Sequence, residues 1–185
     1  DLASGWFQKL GKSGRCFNDL TDEERKAIAG TLSKNRSQEL YRVDMKWFGS
    51  TSPNGCFAGF VNSAERSISD ALDAIPLAGA IDEHHFRHFQ RIFEKLGKGW
   101  IGAGTRLLAM KRPDVFVCLN DRNRTSLCED FGITASNMTF EKYWDEIIGR
   151  IRESAWWKAP APIGGQELKV WQGRSAFLDS IYYED

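Results

Sequence analysis

The sequence predicts a mainly α-helical domain with one small β-hairpin in its N-terminal third. Three observations predict this. Apolar residues recur at three- and four-residue spacing through most of the chain. Capping signals precede several of those stretches: Thr21 with Glu24, Asn62 with Glu65, Asp82, and Thr139. Strict alternation of apolar and polar residues stands out once, where Tyr41, Val43, Met45 and Trp47 interleave with Arg42, Asp44 and Lys46.

The elements follow in chain order. Residues 1–20 are mixed in character and contain three glycines, so they read as an N-terminal arm. Residues 21–158 read as the helical domain. Its first helix runs from the Thr21 cap to about Leu32. The alternating strand from Tyr41, the turn Pro53-Asn54-Gly55 and the apolar run Cys56–Val61 make a candidate hairpin over 41–61. Ala64, Ile68, Ala71, Leu72 and Ile75 share one helical face, closed by Pro76. Asp82 caps a helix whose side is lined by Phe86, Phe89, Ile92, Phe93 and Leu96, with Gly97 at its C-terminal end. A short helix from about Gly104 has to stop before Pro113. Val115–Leu119 is too short an apolar run for a helix and reads as a buried extended connector. Asn120 or Asp121 caps a helix ending at Gly132. Thr139 caps another, with Phe140, Tyr143, Trp144, Ile147, Ile148 and Ile151 on one face. Residues 159–165 form a Pro- and Gly-rich linker. Residues 166–185 form a last helix that packs back through Leu168, Trp171, Leu178 and Ile181.

A chain of 185 residues suits one domain and needs no disulfide or structural metal to fold. Its hydrophobic content is 42% and its charged content 27%, which argues against disorder. Lys plus Arg and Asp plus Glu number 25 each, so a histone-like polycation is excluded. No apolar run approaches the roughly 18 residues of a membrane span, and no membrane partner is expected. The chain opens on Asp without a signal-type stretch, which reads as a domain of a longer protein whose other domains are its partners. The four cysteines, Cys16, Cys56, Cys118 and Cys128, form no C-x-x-C pair and have mostly apolar neighbours. They read as free thiols of a reducing, cytoplasmic compartment.

Charge is not evenly spread. Lys95 to Arg124 holds seven cations against two carboxylates, a local balance of +5, so the remainder carries −5. The glycines Gly97, Gly99, Gly102 and Gly104 lie in the same segment. A glycine-rich hairpin between two helices lets main-chain N–H groups approach a phosphate, and the next helix adds its N-terminal partial charge. On this reading Lys98, Gly99, Trp100, Gly102, Gly104, Thr105 and Arg106 grip a nucleic-acid backbone. Lys111, Arg112, Asn120, Arg122 and Arg124 extend the surface. The competing reading makes the glycines a tight helix–helix turn, Trp100 a core anchor and Asn120 a helix cap.

The stretch from Ile101-Gly102-Ala103-Gly104-Thr105-Arg106 through Pro113 to Leu119-Asn120-Asp121-Arg122-Asn123-Arg124 resembles the helix–hairpin–helix DNA glycosylase superfamily, with its endonuclease III-like fold. The resemblance covers about 30 residues well. It implies a helical domain built around the hairpin, double-stranded DNA as partner, and a segment Cys118–Arg124 that faces a distorted or flipped nucleotide. Two departures matter. The hairpin Lys of bifunctional members falls on Gly104, and the family's Asp falls on Asn120, which is neutral. Asp121 stands one residue further on and is the candidate catalytic carboxylate. The resemblance therefore implies a DNA-binding module of a bacterial restriction, defence or repair protein. A monofunctional glycosylase acting on an unusual base is the first alternative. The second is a protein-interaction domain using exposed aromatics such as Trp156-Trp157.

Other chemistry is not indicated. His84 and His88 are one turn apart, but no cysteine and no H-E-x-x-H pattern accompanies them, so they read as surface or capping residues with no metal. There is no nucleophile elbow, P-loop or dinucleotide fingerprint, and no cofactor is expected.

Overall fold

A computed structural model describes residues 16–41, 59, 66–97 and 100–182. Among the described residues every regular element is helical. After a turn of 3-10 helix (Phe17–Asp19) come α1 (Asp22–Ala29), α2 (Lys34–Tyr41), α3 (Arg66–Asp73), α4 (Glu83–Phe93) and α5 (Ile101–Lys111). Then follow α6 (Arg124–Asp130) and α7 (Phe140–Lys142), which runs through a π-helical segment (Tyr143–Ile148) into α8 (Gly149–Glu153). The chain ends in α9 (Ala155–Lys158), α10 (Gly165–Gln172) and α11 (Leu178–Ile181).

The expected β-hairpin over 41–61 lies almost wholly outside the described residues. Its first residue, Tyr41, is the last of α2, and Gly59 is helical. The Asn62–Glu65 capping box also lies outside them. The other caps form as their sequences direct. Glu24 N donates to Thr21 Oγ1 at 3.2 Å, and Thr21 N to Glu24 Oε2 at 2.8 Å. Gly30 then ends α1 at φ 70°, where a side chain would be strained. Asp82 accepts from His85 N at 3.0 Å, and Thr139 from Lys142 N at 3.1 Å.

The core is aromatic. Phe86 stacks on Trp144 with ring centroids 4.5 Å apart, and Phe89 on Phe93 at 5.2 Å. Phe140 meets both Phe89 and Phe93 edge-on. Helix α5 runs through the middle. Ile101 and every residue from Ala103 to Lys111 are buried, as expected of a helix enclosed on all sides. This helix begins at Ile101 rather than at Gly104, so Gly102 and Gly104 belong to it and not to the hairpin. Val115–Leu119 is the buried non-helical connector that its composition implies.

The tail does not form one helix. It breaks at Gly173 into α10, which has no buried residue, and α11, in which Leu178 is buried and Ile181 is exposed. Docking comes instead from the backbone between them. Ser175 N and Ala176 N both donate to the Pro113 carbonyl, at 3.1 and 2.9 Å. The Asp114 carbonyl accepts from Ser175 Oγ at 2.9 Å and from Trp157 Nε1 at 2.8 Å. At the other end of the chain, Phe17 and Leu20 are core residues, and Asn18 N donates to Ser69 Oγ at 3.0 Å.

Candidate nucleic-acid interface

The cations of the Lys95–Arg124 segment have separate fates. Arg106 is fully buried; its Nε donates to the Ile28 carbonyl at 2.7 Å. Burial lowers its pKa to about 10. Lys111 is 8% exposed and donates its Nζ to the Leu72 carbonyl. Burial pushes its pKa down to about 8, against the opposing pull of the Asp73 carboxylate at 4.0 Å. Arg112 makes a fork on Asp114, Nε to Oδ1 at 2.8 Å and Nη2 to Oδ2 at 2.7 Å. It also donates to the carbonyls of Pro76 and Gly79. These three side chains tie α5 to α1 and to the α3–α4 connection, so they are not part of an exposed basic face. Thr105 is likewise fully buried.

Two glycines of the cluster serve packing. A Cβ on Gly102 would stand 3.2 Å from the Leu119 carbonyl oxygen, and one on Gly104 would overlap the Phe140 ring. Gly97 lies under the Trp100 indole, 2.7 Å from the place a Cβ would occupy. Trp100 is half-buried and meets Phe93 edge-on at 6.5 Å, so its indole is anchored on the core while part of it faces solvent. Lys98 and Gly99 lie outside the described residues.

The close approach at Gly102 has a consequence. It sets the first turn of α5 against the end of the buried connector. Thr105 Oγ1 completes the join: it donates to Ile101 O at 2.8 Å and accepts from Leu119 N at 3.0 Å. The start of α5 and the turn from Cys118 to Arg124 are therefore neighbours.

That turn is built by two asparagines. Asn120 Oδ1 accepts from Arg122 N at 2.8 Å and Asn123 N at 3.2 Å. Asn123 Oδ1 accepts from Asn120 N at 2.9 Å, and Asn123 Nδ2 donates to the Cys118 carbonyl at 2.7 Å. Helix α6 starts at Arg124 with Asn123 at its N-cap, not Asn120 or Asp121 as expected, because the side chains of Asn120 and Asn123 close a turn over 120–123 ahead of it. Both asparagines also donate to Asp179 Oδ1, Asn120 at 3.0 Å and Asn123 by a short bond. Asp179 is 1% exposed, and its Oδ2 is buried without a hydrogen-bond donor. Burial pushes its carboxyl up to about 6, while the two amides and Arg106 pull the other way.

Sequence reading missed Asp179. Its partners stand 59 and 56 residues earlier, and nothing local in Leu178–Ile181 marks it. It also missed Tyr143 as a polar contact; its hydroxyl donates to the Val117 carbonyl at 2.8 Å. The neighbouring Cys118 thiol is buried and pushed up to about 12, which leaves it unreactive.

At the surface of this turn stand Arg122, which is exposed, and Arg124, whose Nη2 lies 3.3 Å from Asp121 Oδ1. The Asp121 side chain is 95% exposed. It sits in a solvated ion pair with Arg124. Among the described residues no group of His, Cys, Asp and Glu could hold a metal ion, and His84 and His88 are exposed with rings 6.3 Å apart. No helix among them is long and apolar enough to cross a membrane. No family model, no curated protein and no solved structure matches the chain.

Proposed function

We propose that the chain is a DNA-binding module related in plan to the helix–hairpin–helix glycosylases. In this reading one narrow edge meets the phosphate backbone of duplex DNA. The edge consists of Trp100 with the start of α5, and the turn bearing Asn120, Arg122 and Arg124. The supporting observation is the contact of Gly102 and Thr105 with Leu119, which makes neighbours of two segments 14 residues apart. Each segment offers something a backbone-gripping module uses: the part-exposed Trp100 and Gly102 at the start of α5, and a turn with the exposed Arg122 and the half-exposed Arg124. The contact surface is smaller than the charge count implied, because Arg106, Lys111 and Arg112 are internal.

A recognition role fits the site better than base excision does. The hairpin Lys position is Gly104, in contact distance of Phe140, and the family's Asp position is Asn120, whose side chain is spent on the turn and on Asp179. A place in a larger restriction, defence or repair protein follows from the resemblance.

The test is duplex DNA affinity as a function of salt. Each phosphate contact steepens the fall of log affinity with log salt by about 0.9. A slope of about 2 to 4 is expected, and the paired substitution Arg122→Ala, Arg124→Ala should lower it by about 2. Absent binding, or affinity flat with salt, would refute the reading.

One observation favours a protein-interaction reading as second choice. Trp156, Val170 and Ile181 on the last three helices, and Phe177 in the turn before the last of them, are exposed by 42, 53, 70 and 46%. A partner held there would bind with little salt dependence.

A further inference from the structure

We propose that Asp179 is the positioning residue of the Cys118–Arg124 turn: through the side chains of Asn120 and Asn123 it sets the attitude in which Arg122 and Arg124 are presented. This rests on the DNA-binding reading for what the turn is presented to. The fixing of the turn itself does not depend on it.

The turn is almost closed upon itself. Asn120 Oδ1 accepts from the Arg122 and Asn123 amides, Asn123 Oδ1 accepts from the Asn120 amide, and Asn123 Nδ2 donates to the Cys118 carbonyl. All these bonds stay within six residues, so they fix the shape of the turn and not its direction relative to the rest of the fold. Direction comes from outside: the Leu119–Thr105 bond anchors the approach to the turn, and Asp179 holds its two asparagines. Each asparagine sends a side-chain N–H to one oxygen, Asp179 Oδ1. That oxygen is fixed in its turn. Asp179 follows Ser175 and Ala176, whose amides are bound to the Pro113 carbonyl, and Leu178 beside it is buried.

A carboxylate is an expensive way to fill this position. Asp179 is enclosed, with Oδ2 lacking a donor. The charged or titratable groups that face it are Arg106 from α5 and the Cys118 thiol from the connector. An apolar residue of similar size would avoid the desolvation cost. What it could not do is accept two amide hydrogens at once, and those amides belong to the two residues that build the turn. The carboxylate therefore acts on the turn through Asn120 and Asn123, and Arg122 and Arg124 follow from it along the chain.

A reciprocal exchange tests this. Asn120→Asp alone sets two carboxylates against each other. Combining it with Asp179→Asn relieves that repulsion: the new amide nitrogen at 179 donates to the carboxylate at 120, its oxygen is left to accept from Asn123, and a single negative charge remains near Arg106. Two quantities are read: amide hydrogen exchange at Arg122 and Asn123 in the free protein, and affinity for a short DNA duplex at low salt. In Asn120→Asp both amides should exchange about tenfold faster and duplex affinity should fall about tenfold, as for a lost bond to a charged group. The double variant should bring both to within about threefold of the original protein, the mark of coupled partners. A purely structural role would lower the melting temperature and leave both readouts unchanged in the folded protein. That outcome, or failure of the double variant to rescue while melting cooperatively, overturns the proposal. If Asn120→Asp does not fold, Asp179→Ala takes its place, and unaltered exchange at Arg122 and Asn123 then overturns it. Duplex binding by the original protein is measured first. Its absence refutes the DNA-binding reading, and hydrogen exchange alone then judges the positioning role.

Discussion

Asn120 donates its side-chain amide to Asp179 Oδ1 at 3.0 Å, across 59 residues of sequence. Asn123 donates to the same oxygen. One carboxylate from the last helix thus receives both residues that build the candidate DNA-facing turn. The pair joins the end of the chain to the one segment whose sequence pointed to a function.

The pH dependence of stability follows from this burial. The Asp179 carboxyl titrates near 6 in the folded protein against an ordinary value of 3.8. The folded state therefore binds a proton more tightly than the unfolded state. The resulting stabilisation is complete below about pH 4 and is lost as pH rises through about 6, a change on the order of 3 kcal/mol. Asp179→Asn keeps an acceptor and removes the titration. Urea unfolding of the two proteins from pH 4 to 7 should show the variant gaining relative to the original protein as pH rises. Parallel curves would contradict it.

Lys111 shows the opposite sign. Its folded pKa of about 8 lies below the ordinary 10.5, so the charged form is disfavoured by folding. Stability should rise between about pH 8 and pH 10.5, and Lys111→Met should remove that rise. Lys111→Met should also leave the salt dependence of DNA binding unchanged, because Nζ is turned inward to the Leu72 carbonyl. A drop of about one in the salt slope would place Lys111 on the interface after all.

Thr105 is the joint between α5 and the connector. Thr105→Val keeps the shape but removes the acceptor of Leu119 N, which is buried. A loss of about 1–3 kcal/mol is expected for the unsatisfied amide. Thr105→Ser retains the hydroxyl and should recover most of it. A loss in chemical denaturation for Thr105→Ser but not for Thr105→Val would show that the methyl group, not the hydroxyl, matters.

Gly104→Ala offers a contest of known terms. Alanine gains up to about 1 kcal/mol of helix propensity over glycine. At this position the new methyl would overlap the Phe140 ring and approach Phe93 within 3.0 Å. Overpacking of this kind costs about 1–3 kcal/mol, so thermal melting should show net destabilisation. Combining it with Phe140→Leu should recover part of the loss.

Much of the helical framework could be read from the chain because its signals are local. Thr21 with Glu24, Asp82 with His85 and Thr139 with Lys142 are caps made within three residues. The face Phe140, Tyr143, Trp144, Ile147, Ile148 and Ile151 is buried throughout, as its spacing requires. The sequence pattern starts α5 at about Gly104, three residues after its true start at Ile101, because Gly102 and Gly104 carry the signature of a loop. Only the neighbouring Leu119 backbone and Phe140 ring explain why glycine stands there inside a helix.

Local signals in the chain place most of the helices and gather positive charge between Lys95 and Arg124. The tertiary structure decided which of those charges face water. A count of cations cannot distinguish an exposed guanidinium from one whose N–H groups are met by distant carbonyls. Arg106 finds Ile28, Lys111 finds Leu72, and Arg112 finds Pro76 and Gly79. Each of those partners is 33 to 78 residues away. Desolvating a cation is tolerable only where such acceptors converge, and convergence is a property of the packed chain.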